Sequence, residues 1–232
     1  MNDGSHSQAL WNKIRLAEEG LWAASERFWL HASLKELLPE FLISLHSVMQ
    51  ASIPLMGAAR ERALVLAADG DDVARRSAEY LERHIGEEQG HDEWLLRDLE
   101  EMGTARETVL RATPDSAVAS LVGAQYFWAL HAHPVAIFGY LAVLEGYPPL
   151  KTQLAEIQRR LQYPASAFQC LMAHAEDDPQ HLAEINRTLD EMPLSSGQIK
   201  LVALSAFHTM DAVAEVLDNL SMSATKPECA HA

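Results

Sequence analysis

The stretch His84-Ile85-Gly86-Glu87-Glu88-Gln89-Gly90-His91 decides how this chain is read. It sits inside the most regular helical pattern in the sequence. Apolar side chains recur at three- and four-residue steps through Ala74, Ala78, Leu81, Ile85, Leu95, Leu99 and Met102. The same stepping between Ile85 and Leu95 lands on Glu88, so a carboxylate occupies the core-facing line. Asp69-Gly70-Asp71-Asp72 supplies a turn and an N-cap, and Gly103 a terminating glycine. The spacing therefore predicts one helix from about residue 72 to about residue 102. At about 100° per residue, His84, Glu88 and His91 then fall within about 60° of one another. Gly86 and Gly90 each cost about 1 kcal/mol against alanine inside a helix. They indicate either close approach of a neighbour or simple tolerance.

Outward from this stretch the chain continues to read as helix. Predicted segments cover about 8–31, 34–50, 54–68, 116–131, 135–145, 150–161, 164–175, 178–190 and 196–220. Residues 104–115 read as a polar connector. No alternating run bounded by hairpin turns suggests a strand. The fold class expected is all-α, a single bundle of seven to ten helices. No Gly/Ser linker divides it, so residues 8–220 read as one helical metal-binding domain, with 1–7 and 221–232 as flexible termini.

A net charge of −15 argues against sequence-independent binding to nucleic acid or to an anionic membrane. No apolar run was found with the length of a membrane span, and residues 1–8 lack the apolar core of a signal peptide. The two cysteines, Cys170 and Cys229, support neither a disulfide framework nor a thiolate metal site. A cytoplasmic setting is expected.

A second stretch, His174-Ala175-Glu176-Asp177-Asp178-Pro179-Gln180-His181, repeats the order of the first. In both, a carboxylate follows a histidine by four and a second histidine comes three later. Glu145 is the carboxylate at the end of a nearly all-apolar helix. Buried carboxylates and histidines are costly unless paired or metal-bound. Four-helix di-metal proteins meet that cost with inward Glu and Glu-x-x-His motifs. Histidine plus carboxylate suits iron or manganese, with zinc also compatible. Glu88, Glu145 and Asp178 are the candidate bridging groups. The rival reading of Asp178-Pro179 is an N-cap followed by the first residue of a helix, which would break the second stretch at residue 178. His208 and Asp211 read as structural, and Phe138 and Tyr140 as the wall of a substrate pocket.

These residues carry a resemblance. The pattern His84-Ile-x-Glu-Glu-x-Gly-His-Asp-Glu-Trp94, then Gly139-Tyr-Leu-x-Val-Leu-Glu145-Gly, then His174-x3-Asp178-Pro-x-His181 resembles the iron-containing redox enzymes of the haem-oxygenase-like superfamily, also called haem-oxygenase-like diiron oxidases. The resemblance covers about residues 35–220. It implies a helical bundle of the haem-oxygenase-like type around a non-haem diiron site that activates O2. It implies His91, Glu145, His174, Asp178 and His181 as metal ligands. The remaining carboxylate varies in the family, which leaves Glu88 and His84 both open. Some members take a further ligand from an earlier helix, where this chain offers no carboxylate over residues 41–60 but has His46.

The function expected is an O2-activating non-haem iron oxidoreductase with two Fe per chain, the second held more weakly. Its partners would be O2 and a small-molecule substrate such as an amino acid, a fatty acid or another carboxylate. A homodimer is compatible with the sequence. Two rivals stay open. One is a metal-free enzyme of the same fold, a thiaminase-like hydrolase or a cofactorless oxidase, with Cys170 as its one plausible nucleophile. The other is a non-enzymatic iron-binding protein.

Overall fold

The computed structural model describes residues 4–223, and among these it is all-α. In chain order the helices are α1 (His6–Ala17), α2 (Glu19–Trp29), α3 (Leu34–Ala68), α4 (Asp72–Glu88), α5 (His91–Glu101), α6 (Arg106–Arg111), α7 (Ser116–His131), α8 (Ile137–Leu144), α9 (Lys151–Leu161), α10 (Gln169–Glu191) and α11 (Ser196–Ser223). Short 3-10 turns at Pro134–Ala136 and Ala165–Phe168 lead into α8 and α10. Starts follow side-chain caps. Ser5 accepts from Gln8 N, Asp71 from Ala74 N and Asp115 from Val118 N. Helix thus begins inside the segment expected to be a loose start, and Ser7 is tied to Asp190 through its backbone N and its hydroxyl. At the other end helix extends to Ser223, and the remainder of the expected flexible tail, 224–232, lies outside the described residues.

The long helices α3 and α11 organise the bundle. Helix α3 packs on α4, α7 and α5, and α11 on α8, α2 and α7. Sequence reading split α3 at Pro54 and so missed an apolar run of span length. In the structure the helix continues through Pro39 and Pro54, and one window reaches a mean hydropathy of 1.3. A proline inside a helix costs about 3 kcal/mol. Here the burial of Leu38, Leu42, Leu55, Met56 and Ala59 on both sides of Pro54 outweighs it. By length and composition alone this helix could cross a membrane, and 28% of that window is buried inside the bundle.

Two other breaks fall differently from the sequence expectation. The predicted 72–102 helix is in fact α4 and α5, interrupted at Gln89-Gly90, where Gly90 has φ +94. Conversely, α10 runs unbroken through Pro179. The N-cap reading of Asp178 is thereby overturned, as is the separation of 164–175 from 178–190. A six-residue helix, α6, also lies inside the expected polar connector.

Candidate metal centre

Helix α8 is buried from Ile137 to Val143 and delivers Glu145 at its C-terminal cap into the interior. Gly139 makes this possible, because a Cβ there would collide with the backbone of α11, at Val202 O and at Ala206 N (2.7 Å). Helix α4 ends with His84 and Glu88, α5 begins with His91, and α10 carries His174, Asp178 and His181. All seven meet.

They meet crosswise. The His84 ring lies 5.0 Å from that of His181, and the His91 ring lies 5.0 Å from that of His174. The first histidine of each stretch thus faces the last of the other, so the two stretches run antiparallel with Glu88 and Asp178 between them. Glu88 Oε2 is 3.0 Å from His91 Nδ1 and 3.9 Å from His174 Nε2, while its Oε1 is 3.5 Å from His181 Nδ1. Glu145 lies 3.5 Å from His84 Nε2 and 3.3 Å from His181 Nδ1. The donor atoms form three groups, each within 4.8 Å: Glu88 with His91 and His174, His84 with Glu88 and His181, and Glu145 with Asp178 and His181. Glu88 therefore belongs to both ends of the cage. His84 and Glu88, which the sequence left as alternatives, are both present.

The break at Gly90 falls between Glu88, which ends α4, and His91, which begins α5. Nothing crowds a Cβ at Gly90 or Gly86, so at Gly90 the requirement is the positive φ, and Gly86 is simply tolerated on an exposed turn. Replacing Gly90 by alanine is expected to destabilise the fold by about 1–2 kcal/mol and to loosen the His91 end of the cage. Chemical denaturation with parallel metal titration checks both; Gly86→Ala serves as the control, which should gain up to about 1 kcal/mol and bind metal as the native chain does.

Charge inside the cage is balanced by shared protons. Burial first, and then the Glu145 carboxylate, push Asp178 far above the usual carboxylate range. Glu145 goes the other way: although burial opposes it, the bond to His181 and the His84 imidazole beside it hold it ionised. His181, bonded to Glu145 and facing further carboxylates, is raised to about 9. Burial works against ionisation of Glu88 too, but the His91 bond pulls its carboxyl below the ordinary value. At neutral pH, then, His181 and Asp178 carry protons that any cation must displace. Apparent metal affinity should climb from about pH 6 to about pH 9 and flatten above, with protons released on uptake. Equilibrium metal titrations across that range check this; an affinity independent of pH would exclude His181 and Asp178 as ligands.

The residues fit a metal ion on the structure's own terms. Five buried side-chain polar atoms among the described residues have no hydrogen-bond partner, and three are His84 Nε2, Glu88 Oε1 and Asp178 Oδ1. Buried groups of this kind are normally paired, and a cation would satisfy all three. His174 Nδ1 is bonded to the Cys170 carbonyl at 2.9 Å. That carbonyl can only accept, so Nδ1 donates and the Nε2 lone pair is turned toward the cage. The donor set is nitrogen and oxygen, as suits iron or manganese. The Cys170 sulfur lies against His174 Nδ1, the nitrogen already committed to the carbonyl, and near His91 O.

Several residues around the site carried no sequence signal strong enough to single them out. Asp98 is fully buried on α5, on the same face as His91, and accepts from the first two amides of α10, Gln169 N (3.1 Å) and Cys170 N (2.8 Å). It joins the two ligand-bearing helices. Burial pushes its carboxyl up to about 6 against the pull of those amides. Because this folded-state value lies above the unfolded one, its contribution to stability is complete below about pH 4 and is lost as pH rises through about 6. The stability difference between the native chain and Asp98→Asn should therefore shrink across that window, as urea melts would read. Trp94 stacks on His91 at 4.3 Å at the exposed side, and Tyr80 stacks on His84 at 5.3 Å on the buried side. Phe138 and Tyr140 are both fully buried, and the Tyr140 hydroxyl lies 2.7 Å from Ser52 Oγ. His46, the earlier-helix candidate, is buried on α3 and belongs to none of the three groups.

Comparison with known proteins bears on the fold and the family. No curated protein matches the chain. Among solved structures it is similar to a domain of unknown function with a haem-oxygenase-like fold from Shewanella denitrificans OS217, with a TM-score of 0.74 and 21% identity, covering 94% of this chain and 90% of that one. It is also similar to a TenA homolog from Pseudomonas syringae pv. tomato DC3000, with a TM-score of 0.65 and 14% identity over 92% and 91% of the two chains. At these identities the likeness establishes the haem-oxygenase-like fold. The family model described as iron-containing redox enzyme matches residues 56–214, a span that holds all seven cage residues. The chain belongs to the iron-containing redox enzyme family.

Proposed function

We propose that the protein is an O2-dependent non-haem iron oxidoreductase that holds two irons in this cage and acts on a small carboxylate metabolite, an amino acid or a fatty acid. The observation that carries the reading is the overlap of the donor groups: Glu88 is shared between one set with His91 and His174 and another with His84 and His181. His91, His174 and Glu88 would hold one iron. His84, Glu145, Asp178 and His181 would hold the other, with Glu88 between them. Two-metal sites need such a shared carboxylate. Bound iron supplies the redox chemistry with O2.

The chain's own residues do the rest. The Cys170 carbonyl fixes the His174 tautomer. Asp98 fixes α10 against α5. Tyr80, Phe138 and the wholly apolar α8 close the inner side to water, which strengthens every charge interaction inside. Asp178 is the group at which a proton is held beside Glu145.

A thiaminase-like hydrolase, one form of the metal-free rival, would use Cys170 as its nucleophile. Its sulfur is buried, and burial together with the carboxylates of Asp98, Glu88, Asp178 and Asp92 raises the thiol well above its ordinary value. Reactive cysteines have the opposite environment. The test of function is O2 uptake by anaerobically Fe(II)-loaded protein, with panels of amino acids and fatty acids added. Uptake accelerated by one class supports the oxidoreductase and names its substrate class. Iron binding with O2 uptake indifferent to every compound would instead make this an iron-binding protein.

A further inference from the structure

Tyr80 lies one helical turn before His84 on α4. Its ring stacks on the His84 imidazole, with planes 26° apart, and Phe138 packs on it at 4.9 Å. The side chain is only 2% exposed, yet its hydroxyl has no hydrogen-bond partner. Leaving a buried hydroxyl unpaired is destabilising, and a phenylalanine would avoid it. Tyr140 shows the ordinary solution nearby, with its hydroxyl paired to Ser52. The carboxylate acting most strongly on the Tyr80 phenol is Glu145. Glu145 itself is hydrogen-bonded to His181, and its other oxygen faces His84 Nε2 at 3.5 Å. Among the described residues the phenol proton has no taker.

We propose that the Tyr80 hydroxyl is the hydrogen-bond donor to an acceptor atom of the small anion that binds at the metal centre. The proposal rests on the metal reading above. Charge favours an anion in the oxidised state: Glu87, Glu88, Glu145 and Asp178 bring at most four negative charges, against six positive charges from two ferric ions. A phenol beside carboxylates serves as a donor, so it selects ligands that bring an oxygen or nitrogen lone pair, as a carboxylate does.

The test uses the iron-loaded, air-oxidised protein titrated with azide, followed by absorption, for the native chain and Tyr80→Phe. Iron per chain is counted in both, and thermal unfolding is recorded on the metal-free forms. In Tyr80→Phe, iron content should equal that of the native chain. Azide affinity should fall about tenfold, and the metal-free midpoint should stay level or rise. Unchanged azide affinity would overturn the proposal. So would a midpoint lowered by more than about 3 °C, which would mark a structural hydroxyl, or a loss of iron, which would mean that Tyr80 acts on a ligand. A native chain that takes up no iron would overturn the metal reading itself, and the iron count shows that outcome separately.

Discussion

Glu88→Gln is expected to empty both ends of the cage at once, whereas loss of any other single donor should weaken one end first. Its oxygens face His91 and His174 on one side and His181 on the other. Glutamine keeps the shape but removes the charge that makes a carboxylate able to bridge two cations. Changes to groups that merely support ligands already cost about 10–100-fold in affinity, so a weakening of more than about 100-fold is expected here. The fold should survive, because Glu88 Oε1 has no hydrogen-bond partner to lose and the glutamine carbonyl can still accept from His91 in place of Oε2. Equilibrium iron titration with circular dichroism on the same samples checks both halves. A variant that still binds iron normally at either end would show that Glu88 is not shared.

Gly139→Ala should produce a large loss of stability for a single added methyl. The added Cβ meets backbone on α11, at Val202 O and Ala206 N, as well as the Ser205 Cβ at 2.9 Å. Backbone cannot rotate away as a side-chain tip can, so α8 and α11 must separate. Overpacking of this kind costs about 1–3 kcal/mol and more where nothing yields, and the upper end applies here. Since α8 carries Glu145 at its end, separation also misplaces that carboxylate. Urea denaturation should show the loss, and iron titration of the folded fraction should show weaker binding. A variant as stable as the native chain would contradict the packing described for α8.

The helical class was legible because the three- and four-residue stepping of apolar side chains is written directly in the sequence. The seven cage residues were also legible as a set, through two matched His-acid-His spacings and a lone acid on an apolar helix. Their arrangement was not. The stripe through Ile85, Glu88 and Leu95 runs smoothly across Gly90, and a positive φ leaves no mark beyond a glycine that could equally be tolerated. Pro54 and Pro179 misled in the opposite direction, because local proline preferences are outweighed by burial on both flanks, which a sequence does not display. Asp98 and Tyr80 became visible only through their partners, one by the two amides it caps and the other by having none.

The most direct measurement is the iron content per chain after anaerobic loading with Fe(II) and desalting, compared among the native chain, His91→Ala and His181→Ala. About two irons in the native chain, as a bridged two-metal site requires, and a sharp fall in both variants is the expected result. Equal iron content in all three would contradict the cage as the metal site.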